Sequence, residues 1–351
     1  MNHQYGVNYD GYLSDLGDPN AAINADWRHY QGITLLALPV PQTNLTVTFE
    51  FTDGSVRNLD LKRSDGSWIT VNPGERLLVY QSIPGTHLPQ GSIGCFYSIG
   101  EREQVFFSLG NLQYNSGVWS FSASQQGTIG SGNTYTSPYH IDLFAWGASG
   151  ETWQPYESKV AGDTNTWSDW GAYDAIFNGT NTPGTWRTPT VAEWDYLLNT
   201  RQAGSLSYSD GGQRIFLRNV RYAKATVCGV KGLILFPNSY MLPENVTPPS
   251  GYNDSATSFS ANVYDSTDWT ALSANRCVFL PVTGRRADGN SAVDCLDEGF
   301  YWTSTADGAG NAYCLHFTDS TVELISLPHS RYCSVRLVQD LPACYVTGSA
   351  D

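Results

Sequence analysis

The side chains able to do chemistry in this sequence are few and widely spaced. Seven cysteines stand at Cys95, Cys228, Cys277, Cys295, Cys314, Cys333 and Cys344. No two have the CxxC spacing that builds a zinc site or a thioredoxin-type dithiol. An odd number cannot close into a complete disulfide framework, so most are read as buried or partly buried thiols. Cys314 with Cys333, or Cys295 with either, are the pairings left open by a shared C-terminal strand region, and parity leaves at least one thiol free. Six histidines, His3, His29, His87, His140, His316 and His329, form neither HExxH nor a close His-x-His pair. Asp268, Asp288, Asp294, Asp297 and Glu298 are available for paired-carboxylate hydrolysis, yet no spacing selects two of them, and the plain reading is a solvated acidic loop. The Gly-rich run at 306–311 (ADGAGN) lacks the trailing Lys-Ser/Thr of a phosphate loop and no helical pattern follows it, so it reads as a β-hairpin connection. No cofactor or metal is called for by these residues.

The composition narrows the field further. Of 351 residues, 41% are hydrophobic, 13% aromatic and only 15% charged, against roughly 25% charged in an average globular protein. So many aromatic residues argue against a disordered chain. The 19 basic and 33 acidic residues leave a formal charge of −14. No Lys/Arg cluster offsets it, which disfavours a grip on the phosphate backbone of nucleic acid. No apolar run is long enough for a membrane-spanning helix. Residues 1–11 lack a basic patch followed by an apolar stretch, so no signal peptide is visible there, and localisation must rest on something else.

The elements that would position these residues are mostly strands. Leu45, Val47, Phe49 and Phe51 alternate with polar residues, and Asp53-Gly54 turns the chain into a returning strand at 56–61. Further short strands are expected at 67–71 and 77–81, separated by Asp65-Gly66 and Pro73-Gly74. Such spacing implies a small antiparallel sandwich. Residues 115–185 are rich in Gly, Ser, Thr, Asn and Trp with little periodicity, and are expected to be long loops pinned by Trp119, Trp146, Trp153, Trp167, Trp170 and Trp186. One helix is well signalled: Thr190 and Glu193 form a capping box, and Val191, Trp194, Leu197 and Leu198 share a face. It should end near 200–204. A second helix begins near Ser266 or Thr267 and carries Trp269 and Leu272. Buried strands are expected at 230–236 and 277–280, and further strands at 299–305, 312–317, 321–325 and 332–338, the last with Cys333, Val335 and Leu337 on one face.

Seven ordered blocks carry a resemblance. They are FSLGNLQY (107–114), IDLFAWGASG (141–150), WRTPTVAEW (186–194), VKGLILFP (230–237), GFYWTST (299–305), NAYCLHF (311–317) and RYCSVRLVQD (331–340). Together they resemble the major paralogous domain first noted in Fibrobacter and abundant in Bacteroidetes, over roughly 102–340. That resemblance implies a C-type-lectin-like α+β fold whose chain ends pair as neighbouring strands, here 105–109 with 335–338, with long ordered loops over one face. Residues 45–80 more weakly resemble the sandwich of Bacteroidetes fimbrillin-like pilins. The implied organisation is an N-terminal all-β sandwich-like domain over 1–98, a C-terminal α+β C-type-lectin-like domain over 99–345, and a tail at 346–351.

The resemblance also directs the functional expectation. Oxygen-using formylglycine-generating enzymes of this fold need a close cysteine pair, whereas Cys314 and Cys333 are far apart in sequence. Iron-dependent sulfoxide synthases need a compact histidine set, which His316 and His329 do not supply. Calcium-dependent sugar binding needs an EPN- or QPD-type loop followed by Trp-Asn-Asp, and this chain has Tyr301-Trp302-Thr303-Ser304 instead. The reading is therefore a non-enzymatic adhesin or ligand-binding protein at the extracellular or outer-membrane surface of a Gram-negative bacterium. Its partners would be a glycan or protein ligand and other pilus subunits, with a lipid anchor upstream of Met1. A pilus tip or structural subunit is the alternative, and a glycan-active or oxidative enzyme the second alternative. The ligand face is expected on the loop-and-strand surface of 303–332, at Thr303, Asn311, Tyr313, His316, His329 and Tyr332. Some proteins of the fold carry surfaces varied by adenine-directed mutagenesis. Of the residues such variation cannot produce (Lys, Trp, Met, Gln, Glu), only Glu323 occurs between Thr303 and Tyr332. Arg285 and Arg286 are read as a salt-bridge anchor for the long loops, with a place lining the ligand face as the alternative.

Overall fold

The strands described in the N-terminal part pair as antiparallel ladders. In this computed structural model, β1 (Tyr30–Leu36) is antiparallel to β4 (Arg76–Ser82), and β2 (Thr46–Glu50) is antiparallel to β3 (Val56–Asp60). The structure describes residues 30–36, 46–50, 56–60, 67–68, 76–82, 90–100, 103–129, 140–147, 169–201, 205–210, 213–217, 219–237, 239–243, 245–286, 293–308 and 310–340. The expected loop anchors Trp153 and Trp167, most of the 67–71 strand, Asp288, Cys344 and the tail at 346–351 lie outside the described residues. The chain divides into two units, 1–88 with 342–351, and 89–341. The boundary expected at residue 98 lies instead at 88/89, ahead of β5 (Ser92–Ser98), which pairs with β6 (Gln104–Ser108) and belongs to the second unit.

The described part of the second unit is mainly strand with few helices. After β6 come β7 (Leu112–Asn115), β8 (Val118–Phe121), β9 (His140–Ile141) and β10 (Phe144–Ala145). A single helical turn, α1 (Trp170–Tyr173), precedes α2 (Val191–Asp195), which widens into a π-helical turn over Tyr196–Thr200. Next are β11 (Ser205–Asp210), β12 (Gln213–Leu217), β13 (Tyr222–Val227), β14 (Val230–Leu235), β15 (Ser239–Met241), β16 (Val263–Tyr264) and the helix α3 (Ser266–Ala274). The unit closes with β17 (Val278–Pro281), β18 (Arg285–Arg286), β19 (Val293–Asp294), β20 (Gly299–Ala306), β21 (Asn311–Phe317), β22 (Val322–Pro328), β23 (Tyr332–Cys333) and β24 (Val338–Asp340).

Both expected helices form for the expected reasons. Glu193 N donates to Thr190 Oγ1 at 3.2 Å, and Thr190 N donates to Glu193 Oε2 at 2.7 Å, which completes the capping box. Trp194, Leu197 and Leu198 are buried in one core. Asp265 caps α3, whose Trp269 and Leu272 are buried. Arg187 then ties α2 to the C-terminal strand: it holds Glu193 at 2.7 Å and Asp340 at 2.6 Å. Thr190→Ala is expected to cost about 1 kcal/mol of unfolding free energy, measured by urea denaturation. A loss below about a third of that would mean the Arg187 clamp alone fixes the helix start.

The chain ends of the unit lie side by side. In the sheet β24-β6-β5, Val338 faces Phe107 and Asp340 faces Val105, and Ser108 N extends the contact to Leu337 O at 3.0 Å. The expected final strand at 332–338 is instead broken into β23 and β24. Between them the backbone changes partner: Trp302 N donates to Ser334 O, Ser334 N to Phe300 O, and Leu112 N to Val335 O, so no single ladder runs its length.

Three strands form the centre. β20, β21 and β22 make an antiparallel sheet, and a core lies against each face. Phe300, Trp302, Ala312, Cys314 and Leu327 join a core with Trp146, Trp170 and Trp186. Tyr301, Leu315 and Phe317 join another with Trp194, Leu233 and Val278. Gly299 faces Phe317 across the sheet, and a Cβ there would collide with the Phe317 ring. A third core lies between β13, β14, β17 and α3. The β13–β14 turn is Cys228-Gly229, with φ of 50° and 82°, the left-handed pair that suits a two-residue hairpin.

Candidate functional site

The two-sided burial of the central sheet decides which expected ligand residues reach solvent. Thr303 is fully buried: its Oγ1 donates to Tyr313 O at 2.9 Å and accepts from Thr305 N at 3.1 Å. His329 is also fully buried, its ring stacked on Trp146 at 4.2 Å. Its backbone bonds both ways, N to Gly310 O and O from Trp146 N. Tyr332 is buried under the Arg286 guanidinium, 4.6 Å from the ring centre. The expectation that all six residues line one exposed face is corrected at these three. Thr303 satisfies its hydroxyl inside the protein, and His329 and Tyr332 pack their rings there.

Asn311, Tyr313 and His316 on β21 are partly exposed. Asn311 closes the β20–β21 hairpin, its O accepting from Asp307 N at 2.8 Å. The Tyr313 hydroxyl is hydrogen-bonded to the Asp307 carboxylate, which holds the phenol proton and raises its pKa. His316 sits further along. Its Nε2 is 2.7 Å from Glu298 Oε2 and its Nδ1 is 3.1 Å from Glu323 Oε1. A neutral imidazole has one N–H and donates to only one of these carboxylates. The ring stacks on Phe300 at 4.7 Å, and Arg285 lies 4.9 Å from the centre of the same Phe300 ring. Arg285 also reaches Asp294 at 3.3 Å, in keeping with an anchoring role. The Glu298 and Glu323 carboxylates beside His316 can accept hydrogen bonds.

The other expected carboxylates are engaged elsewhere. Asp268 completes the α3 capping box, and Asp297 pairs with Lys231 at 2.6 Å. Among the described residues no three His, Cys, Asp or Glu side chains are grouped so as to hold a metal ion. The six described cysteines are free thiols, so none of the disulfides left open by position is formed. Cys314 and Cys333 are nevertheless neighbours. Burial, and then the hydrogen bond between the two thiols, raise the Cys333 pKa well above its ordinary value.

Sequence reasoning missed a cleft of about 200 Å³ whose wall includes Asp142, Leu143, Val282, Thr283 and Leu296. Block 141–150 marks the neighbourhood of Asp142, but nothing in its spacing singles out that carboxylate. Compared with known proteins, the chain matches no family model, no curated protein and no solved structure. No helix among the described residues is long and apolar enough to cross a membrane.

Proposed function

We propose that this protein is a non-enzymatic surface adhesin or ligand-binding protein, and that its second unit is a C-type-lectin-like head taking a glycan or protein ligand. The observation that carries the reading is the mounting of β21. Its inward residues are locked in two cores, while Asn311, Tyr313 and His316 present polar and aromatic groups from the same rigid strand. Rigid elements that hold adaptable polar contacts beside aromatic anchors favour recognition. The side-by-side chain ends, the central hairpins and the seven sequence blocks support the lectin-like reading.

Glycan arrays and host-protein screens on the soluble protein test it. Tyr313→Ala and His316→Gln are expected to weaken binding by about thirtyfold, a hot-spot-sized effect, with the thermal midpoint moving by only a few degrees. Leu337→Ala is expected to do the reverse, costing about 2–5 kcal/mol of stability as a buried leucine. Turnover of a glycan substrate without stable binding of any ligand would overturn the reading.

A further inference from the structure

We propose that the exposed rings of Tyr173 and Phe177 form a stacking platform for an uncharged oligosaccharide, taking the C–H faces of its pyranose rings. This rests on the ligand-binding reading above and gives it a site built from residues outside β21. Among the described residues these two alone expose most of an aromatic side chain, at 60% and 66%. Tyr173 ends α1 and Phe177 follows four residues later, so their Cα atoms are at most about 14 Å apart. A short oligosaccharide spans that distance.

The backbone beneath the rings is fixed on both sides. Trp170 and Ile176 are fully buried in the core that also holds Trp119 and Trp186. Phe177 N donates to Trp119 O at 2.8 Å. Asn178 then clamps the backbone of Phe121: its Oδ1 accepts from Phe121 N at 2.7 Å and its Nδ2 donates to Phe121 O at 2.9 Å. Ile176 O accepts from both Gly179 N and Asn181 N, and Trp186 Nε1 donates to Gly179 O at 3.0 Å. Thr180 sits at φ 69° and Asn181 at φ 53°. A β-branched residue in the left-handed region persists only where its surroundings over-determine it. Phe177 is therefore presented to water by a preorganised turn, which lowers the ordering cost of binding.

Size and charge select the occupant. An aromatic side chain buries about 150–250 Å² when fully covered, so at their exposure the two rings offer roughly 200–300 Å² between them. A folded partner, or a second copy of this chain, needs about 800 Å² on each side. Val118, exposed beside the Trp119–Ile176 bridge, does not close that gap. Sugar rings are small enough to use it. Residues 175–186 contain no Asp, Glu, Lys, Arg or His, although the chain carries a formal charge of −14. The turn exposes Asn181 and Thr182 instead, whose amide and hydroxyl can bond sugar hydroxyls without a charge to desolvate.

Isothermal titration calorimetry on the full chain tests this, with cellohexaose, xylohexaose, mannohexaose and maltohexaose as neutral probes and hexagalacturonate as the charged one. At least one neutral hexasaccharide is expected to bind saturably, and more tightly than hexagalacturonate. Tyr173→Ala and Phe177→Ala should each weaken that binding by about tenfold, the loss of one stacked ring. Phe177→Leu, which keeps an apolar group but no flat face, should cost about as much, whereas Phe177→Tyr should retain the binding and Tyr313→Ala should leave it unchanged. Both positions are exposed, so circular dichroism of the variants should match that of the parent. Binding of no neutral hexasaccharide, equal or tighter binding of hexagalacturonate, or binding untouched by Phe177→Leu would overturn the platform. So would self-association of the chain, or capture of a protein, that Phe177→Ala abolishes. Glycan-array binding lost with Tyr313→Ala but untouched by Phe177→Ala would sink the platform and leave the proposed function standing. Hydrolysis of a hexasaccharide that binds through Phe177 would uphold the platform and sink the non-enzymatic reading.

Discussion

Replacing Arg336 with alanine is expected to lower the unfolding free energy by roughly 3–5 kcal/mol, as for truncating a large buried side chain, with hydrogen-bond acceptors left unpaired as well. Arg336 is fully buried. Its Nη2 donates to Gln125 Oε1 at 2.9 Å, and its Nη1 reaches Asn111 Oδ1 and Phe279 O, both at 3.4 Å. None of these partners is a carboxylate, and burial pushes the guanidinium down to about 10. The network continues: Asn111 Nδ2 donates to the Tyr301 hydroxyl at 3.1 Å, which donates to Pro281 O at 2.8 Å, while Gln125 Nε2 donates to Cys277 O at 3.0 Å. Thus one guanidinium links β7, β17, β20 and the turn after β8. Arg336→Met keeps most of the volume but leaves the acceptors unpaired, so a smaller loss of about 1–3 kcal/mol is expected. Urea unfolding of the two variants separates the volume from the hydrogen bonds. A loss under about 1 kcal/mol for the alanine variant would show that the network does not bear on stability.

Alkaline pH should unfold the second unit through its buried phenols. Burial raises the pKa of Tyr97, Tyr264 and Tyr301 far above the ordinary value of 10.0. Each is an acid whose folded pKa exceeds its unfolded one. Above about pH 10 the unfolded chain releases protons that the folded chain keeps, so stability is full below that pH and falls as pH rises beyond it. Arg201 and Arg336, pushed down to about 10 by the same burial, tilt the other way, but two guanidiniums are outnumbered by three phenols. Phenolate absorbance followed together with circular dichroism should show a late fraction of tyrosines ionising only as the secondary structure is lost. Complete ionisation near pH 10 with unchanged dichroism would refute the burial argument.

Local signals were legible where one segment carries the whole cause. The capping box at Thr190 and Glu193, the hairpin after Ala306, and the buried strands β14 and β17, though not their pairing, follow from neighbouring residues. The partner of β14 was hidden, because Cys228-Gly229 is not one of the common hairpin dipeptides and Lys224 interrupts β13 while being fully buried. The candidate site was half legible for a related reason. Alternation along β20 and β21 predicts one wet face, but both faces are covered, so Thr303 is dry although polar. Asn311, Tyr313 and His316 on the central strand keep part of the exposure that their types imply. The cleft was illegible, since its wall joins segments near 128, 142 and 282–296 that no local spacing connects.

The order β24-β6-β5 also sets how the second unit would carry tension. β5 and β24 each run antiparallel to β6, and therefore parallel to one another on its two sides. The chain comes in at the Ser92 end of β5, opposite Ser108, and goes out past Asp340, opposite Val105, so these two points lie at opposite ends of the sheet. A pull through the flanking chain acts along the strands. It loads the ladder bonds on both sides of β6 in shear, so they must yield together instead of unzipping singly. Mechanical resistance would thus be concentrated in the strands that seal the unit, leaving the hairpin of Tyr313 and His316 outside the line of force.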